Sequence, residues 1–160
     1  MSELVIRRAT DRDEAALLRL AERLCTFELP AWRTARQITD ADGRDMLKAV
    51  RAASQADDEE VFLAERGGQE AGCLHILATT DFFDQRHAHI SVIATSAAAE
   101  GSGVGHALMA HAEDWARSRR LSLLTLNVFA TNARARRFYE REGMHVEFLK
   151  YAKPVSTGQP

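Results

Sequence analysis

Glu100-Gly101-Ser102-Gly103-Val104-Gly105 follows an extended run that ends at Thr95, and it opens the helical spacing Val104, Leu108, Ala112, Trp115. Glycines let several backbone N–H groups converge on one anion, and the positive end of the following helix adds an attraction of roughly 0.3–2 kcal/mol. The turn therefore points to a ligand carrying a diphosphate. Two common phosphate motifs do not fit. A dinucleotide fingerprint needs glycine where His106 stands, and a Walker A loop needs Gly-Lys-Ser/Thr where the chain reads Gly105-His106-Ala107.

Downstream lies a second motif, a strand leading through Leu126-Asn127-Val128-Phe129 to Asn132-Ala133-Arg134-Ala135-Arg136-Arg137-Phe138-Tyr139 and on to Gly143. It places an Asn at a helix entrance and an aromatic pair one to two turns along. Before the glycine turn, Leu4-Val5-Ile6 reads as a strand, and Thr10 to Asp13 as a helix start before Leu17, Leu20, Ala21 and Leu24. A loop through Pro30 leads to a second helix somewhere between Ala35 and Ala53, and Asp57 to Glu60 reads as a solvated link. Arg66-Gly67-Gly68-Gln69 between apolar runs is a hairpin signal, and Asp81 to Arg86 turns into a strand over His87–Thr95. The remainder reads as a helix to about Arg120, a strand over Leu121–Phe129, a helix over Asn132–Glu142 and a final strand over Met144–Ala152. Strands and helices mix without regular alternation. This predicts an α/β chain with a mixed sheet and helices on both faces, rather than a doubly wound parallel sheet.

The chain has 160 residues, which suits one domain, here residues 1–153 followed by a disordered tail over 154–160. Its net charge of −2 argues against a nucleic-acid binder, although Arg134, Arg136, Arg137 and Arg141 form a local basic cluster better suited to a phosphate tail. Cys25 and Cys73 make no disulfide framework. No targeting peptide and no apolar run of about 18 residues appears, so the expectation is a cytoplasmic protein with no membrane partner. His87 and His89 could be two metal ligands, but His106 and His111 point to different helix faces and no third ligand is evident, so no metal is expected.

The order of elements and both motifs resemble the GNAT superfamily of acetyl-CoA-dependent N-acetyltransferases, over nearly the whole chain. The cofactor motif Gln/Arg-x-x-Gly-x-Gly/Ala falls on Glu100 to Gly105. The motif Asn-x-x-Ala-x-x-Phe-Tyr-x-x-x-Gly falls on Asn132, Ala135, Phe138, Tyr139 and Gly143. The second match is complete. The first departs at Glu100, a carboxylate where the family has a neutral or basic residue, and Glu100 is expected to turn outward. Thr95 and Ala97 stand where the family commonly has Val and Pro. The resemblance implies a mostly antiparallel sheet splayed between its fourth and fifth strands, with the cofactor's pantetheine arm lying along the fourth. It implies acetyl-CoA contacts from Ile93, Ala94, Thr95, Gly101, Ser102, Gly103, Val104, Gly105, His106, Asn132, Ala135 and Phe138. Asn132 is also a candidate helix cap.

Acyl transfer to an amine needs a neutral amine, a donor for the developing oxyanion and a proton for the leaving thiolate. A lysine-like amine is neutral in only about one molecule in 2,500 at pH 7, a cost of roughly 4.6 kcal/mol, so a base matters most for alkyl amines. By a strand period of two, His87, His89, Ser91, Ile93 and Thr95 share one face. The resemblance makes His89 the candidate base and Tyr139 the general acid; the alternatives are a solvated histidine and a core aromatic. Phe27, Glu28, Trp32, Asp81, Phe82 and Phe83 lie in the two loops that frame the acceptor in relatives. The expected activity is direct attack of a primary amine on acetyl-CoA in a ternary complex. A non-catalytic acyl-CoA sensor and a transferase of longer acyl chains are the alternatives. The acceptor itself, a small amine or a peptide, has no transferable code in these loops, and a homodimer is left open.

Overall fold

Five strands lie in the sheet in the order in which the chain makes them. The computed structural model describes residues 2–52 and 57–157. The elements are β1 (Leu4–Arg8), α1 (Glu14–Ala21), α2 (Ala35–Ala52), β2 (Glu59–Arg66), β3 (Gln69–Thr80), β4 (Arg86–Thr95), α3 (Val104–Ser118), β5 (Leu124–Leu126) and α4 (Ala133–Arg141). The first four strands pair antiparallel, whereas β5 runs parallel to β4. A parallel neighbour cannot be reached by a hairpin, and α3 supplies the crossover. The expected mixed sheet is thus present, as is the β2–β3 hairpin, whose Gly67 and Gly68 adopt φ of 60° and 76°.

Alternation along the strands builds two cores. Phe62, Leu74, Ile76, Ala88 and Ile90 pack with Val104, Leu108, Met109, Ala112 and Trp115 of α3. On the other face, Val61, Leu63, Cys73, Val92 and Ala94 pack with Leu17 and Leu20 of α1 and Met46, Ala49 and Val50 of α2. Close approach of α3 to the sheet depends on Gly72. A Cβ there would lie 2.7 Å from the Ala94 carbonyl oxygen and 3.0–3.1 Å from Leu108 and Val104.

Several expectations need correction. Asp57 to Glu60 is not a solvated link, because β2 begins at Glu59 and Glu60 is buried. The Glu60 carboxylate accepts from Trp115 Nε1 and Arg119 and pairs with Arg8, which explains its burial: a charge taken from water needs several donors. The fifth strand is three residues, not the whole of Leu121–Phe129. Leu121 N–H bonds the Ala116 carbonyl at 3.0 Å, closing the end of α3, with Arg120 left-handed at φ 57°. Asn127 onward is already turning toward α4.

The strand expected over Met144–Ala152 does not form; residues 144–157 have no regular structure and expose Val146, Phe148, Leu149 and Tyr151. A strand needs a ladder to satisfy its backbone, and three-residue β5 offers little to extend. Ala53, where the second helix was expected to end, and residues 158–160 of the tail lie outside the described residues.

Candidate functional site

Residues Glu100 to Gly105 form the turn into α3. Gly101 and Gly103 take φ of 71° and 84°, left-handed values that favour glycine, and a Cβ at either would meet nothing within 4 Å. The space above the turn is therefore open. Gly103 caps α3, so the N–H groups of the first turn, Val104, Gly105 and His106, have no partner inside the helix. Ser102 Oγ is turned back onto the Ala99 carbonyl at 2.6 Å, leaving its side chain away from that space.

Glu100 does more than turn outward. Its carboxylate accepts from Arg134 of α4 at 3.0 Å and pairs with Arg23, from the short 3-10 turn that follows α1. Arg134 first, then Arg23, holds the carboxyl below its usual range. The one departure from the cofactor motif is thus neutralised by two arginines. Arg23 also donates from Nε to the Thr95 carbonyl at 3.3 Å, so that carbonyl is engaged.

Helix α4 closes the other side. Asn132 Oδ1 accepts from Ala135 N–H at 3.1 Å and caps α4. Phe138 packs under Gly105, where an added Cβ would come within 3.2 Å of the ring, so this glycine sets how closely α3 and α4 approach. His106 Nδ1 and Glu142 join the same helices at 2.9 Å; what His106 can offer a ligand is its main chain. The Tyr139 ring lies 5.3 Å from that of Phe138 and packs on the α3-side core, and burial pushes its phenol up to about 12.

Between these walls runs β4. Its pairing to β5 stops at Ile90 opposite Leu126, so beyond that point the edge facing β5 is unpaired. The opening expected between the fourth and fifth strands lies here. Opposite, β4 pairs with β3 through a bulge: His75 faces Val92 while Ile76 faces Ile90, and Ser91 is the extra residue. This corrects the reading that His87, His89, Ser91, Ile93 and Thr95 share a face. Ala88 and Ile90 face α3, whereas Val92 and Ala94 face α1 and α2. His87 and His89 therefore lie on the α2 side, and Ile93 lies on the α3 side. A simple period of two does not survive an inserted residue.

His89 Nδ1 sits 2.8 Å from Thr125 Oγ1 on β5. Burial first, then neighbouring His87 and His75, lowers its pKa from the ordinary value of 6.5. That shift favours the uncharged imidazole at neutral pH.

The loop residues do not assemble into one cluster. The Phe27 ring packs at a tilt against Phe129, 5.6 Å between centroids, whereas Phe82 and Phe83 sit at the β3–β4 turn against Phe148. Asp81 Oδ1 accepts from the N–H groups of Phe83 and Gln85, a turn role that occupies its carboxylate. Trp32 and Glu28 are exposed. Arg23, His75 and Glu59 were not anticipated, and no motif signals them. Cys73 is buried and its thiol is pushed up to about 12, unsuited to act as a nucleophile.

The model of the acetyltransferase (GNAT) family matches residues 17–144. The chain belongs to the GNAT acetyltransferase family. Solved structures agree on the fold. A transcriptional regulator from Bacillus halodurans C-125 is 22% identical, with a TM-score of 0.70 over 96% of this chain and 100% of its own. An aminoglycoside N-acetyltransferase, AAC(6')-Iy, in complex with CoA is 17% identical, with a TM-score of 0.70 over 97% of each chain. A glucosamine-6-phosphate N-acetyltransferase from Arabidopsis thaliana is 17% identical, with a TM-score of 0.66 over 96% of this chain and 99% of its own. No curated protein matches the sequence. Among the described residues, no helix of this GNAT protein is long and apolar enough to cross a membrane, and no group of three or more His, Cys, Asp or Glu side chains could hold a metal.

Proposed function

We propose that this GNAT protein is an N-acetyltransferase that passes the acetyl group of acetyl-CoA to a primary amine by direct attack in a ternary complex. One combination of observations supports the reading: an open glycine turn at the start of α3, an edge of β4 left unpaired beyond Ile90, and Tyr139 of α4 packed on the α3-side core. A diphosphate suits the free N–H groups at the start of α3, with the backbone of Gly101 to His106 as its cradle. An extended amide-bearing arm suits the unpaired edge, where Ile93 and Ala94 can pair with it like an added strand. Arg23 and Arg134 keep Glu100 from repelling the phosphates.

When bound, acetyl-CoA supplies a thioester carbonyl activated toward nucleophiles. The amine nitrogen forms the new N–C bond, the C–S bond breaks, the amine gives up one proton and the thiolate gains one. His89, uncharged at neutral pH, takes the first proton directly or through water. Tyr139, protonated across that range, faces the departing sulfur. With its pKa near 12, against about 8.5 for an ordinary thiol, complete transfer to the thiolate is uphill, so the phenol works chiefly as a hydrogen-bond donor to developing charge and the thiolate takes its proton from solvent. The buried, high-pKa Cys73 supports direct attack over an acyl-cysteine route.

The amine acceptors in the names of the aminoglycoside and glucosamine-6-phosphate enzymes favour nitrogen over oxygen as the acceptor atom here. Thiol release from acetyl-CoA and octanoyl-CoA, measured across a panel of amines with mass spectrometry of the products, tests the reading. Amine-dependent release with acetyl-CoA supports it. Tight binding without release for any amine means a sensor, and a preference for octanoyl-CoA means a longer-chain transferase.

A further inference from the structure

On the α2 side of the sheet, opposite α3, lies a cavity of about 250 Å³ lined by Asp45 and Lys48 of α2, Glu59 of β2, His75 and Leu77 of β3 and Ser91 of β4. Its position is informative. Ser91 is the bulged residue and follows the last β4–β5 pair, so the cavity reaches the sheet where the groove between the strands begins. A ligand in the cavity approaches that point from the face opposite α3.

The lining asks for a donor. His75 is 2% exposed; its Nε2 lies 2.8 Å from Glu59 Oε1, and its Nδ1 is buried with no partner among the described residues. A carboxylate only accepts, so Nε2 carries the proton and donates, and in the neutral ring Nδ1 is left as an unsatisfied acceptor. An orphaned buried acceptor is costly, and a ligand N–H relieves it. Two carboxylates, Asp45 and Glu59, share the lining with a single Lys48. An ammonium answers both demands. The volume lies below the roughly 300–1,000 Å³ of sites for drug-sized ligands, which favours a short chain over an aminosugar scaffold.

Resting on the acetyltransferase reading, we propose that this cavity holds the second ammonium of the acceptor, which is a short aliphatic diamine. Asp45 and Glu59 hold the charge, His75 Nδ1 accepts one N–H, and the other amine reaches the thioester past Ser91. Asp45 is exposed, so its substitution leaves the core untouched.

Two measurements on the full chain test this: calorimetry of 1,4-diaminobutane binding to CoA-loaded protein, and kcat/KM for acetylation of 1,4-diaminobutane, butylamine and 4-aminobutanoate. The diamine should bind, and Asp45→Asn or Glu59→Gln should weaken it at least tenfold. The diamine should also exceed butylamine at least tenfold in kcat/KM, with Asp45→Asn costing the diamine far more than butylamine. Equal rates for diamine and butylamine, a preference for 4-aminobutanoate, or binding indifferent to both substitutions overturns the assignment and leaves acetyl transfer standing. Diamine binding that depends on Asp45, without acetylation of any amine, upholds the cavity and overturns the acetyltransferase reading.

Discussion

The two faces of the sheet are built differently. On the α3 side, glycines bring backbone against backbone: Gly72 admits α3 to the sheet, Gly105 admits Phe138 to α3, and the buried Glu60 has donors from Trp115 and Arg119. On the α2 side, an apolar core gives way at one end to a cavity containing a buried nitrogen without a partner, with charged groups at its walls. The first face pairs its buried carboxylate internally and leaves only the N–H groups at the start of α3 open. The second leaves its polar groups for something else to satisfy. Rigidity and selectivity are thus assigned to opposite sides of one sheet, and substitutions should tell them apart.

The strongest break should come at Tyr139, which packs on the α3-side core. Tyr139→Phe keeps the ring and removes one donor; kcat is expected to fall about 10²–10³-fold, some 2.7–4 kcal/mol, with the Kd for acetyl-CoA little changed. Steady-state kinetics paired with calorimetry reads this, and a variant keeping more than half of the normal kcat would make the tyrosine structural. Next in size, Glu60→Ala should cost about 3 kcal/mol in chemical denaturation, because it leaves the buried Trp115 N–H and the half-buried Arg119 without their shared acceptor. Loss of stability under 1 kcal/mol would mean that the α3 face is less tightly coupled than its hydrogen bonds imply.

His89, on the α2 side, should affect chemistry rather than stability. It acts as a base only when neutral, so kcat/KM should fall as pH drops through a group below 6.5, the direction set by its burial. His89→Ala should remove that limb and cost an alkyl amine about 10²-fold, and an aryl amine, already neutral, much less. Equal losses for both amines with the limb unchanged would assign the proton to solvent. The smallest effect is at the turn. Gly103→Val places a branched side chain at φ 84° above the free N–H groups, and should weaken acetyl-CoA at least tenfold, about 1.4 kcal/mol, in a protein that still folds. Unchanged affinity by calorimetry would remove the turn from the cofactor's contacts.

The same contrast explains what could be read from the sequence. The turn at Glu100 to Gly105 and the run from Asn132 to Gly143 use backbone conformation and caps, which are local, so contiguous residues reveal them. The Glu59–His75 contact and the cavity assemble side chains from three strands and a helix, and nothing in any one segment marks them. Glu59 and Glu60 looked like a charged link because their donors lie far along the chain, at Trp115 and Arg119 for Glu60 and at His75 for Glu59. The misplaced face of His89 has another cause, since a bulge shows in pairing and not in composition. The expected last strand failed because apolar alternation over Val146 to Leu149 signals a strand only where a neighbour is available.

The inserted Ser91 works like a change of reading frame within β4. Upstream of it, odd-numbered side chains such as His87 and His89 belong to the α2 compartment; downstream, Ile93 belongs to the α3 compartment. A single strand thereby serves two compartments without either dictating residues to the other, and a substitution at Ser91 leaves the facing pattern beyond Val92 in place. Deleting Ser91 would remove the bulge and leave both faces as they are, whereas pairing Ser91 with His75 in place of Val92 would turn Val92 and Ala94 toward α3 and exchange the two compartments along half the strand.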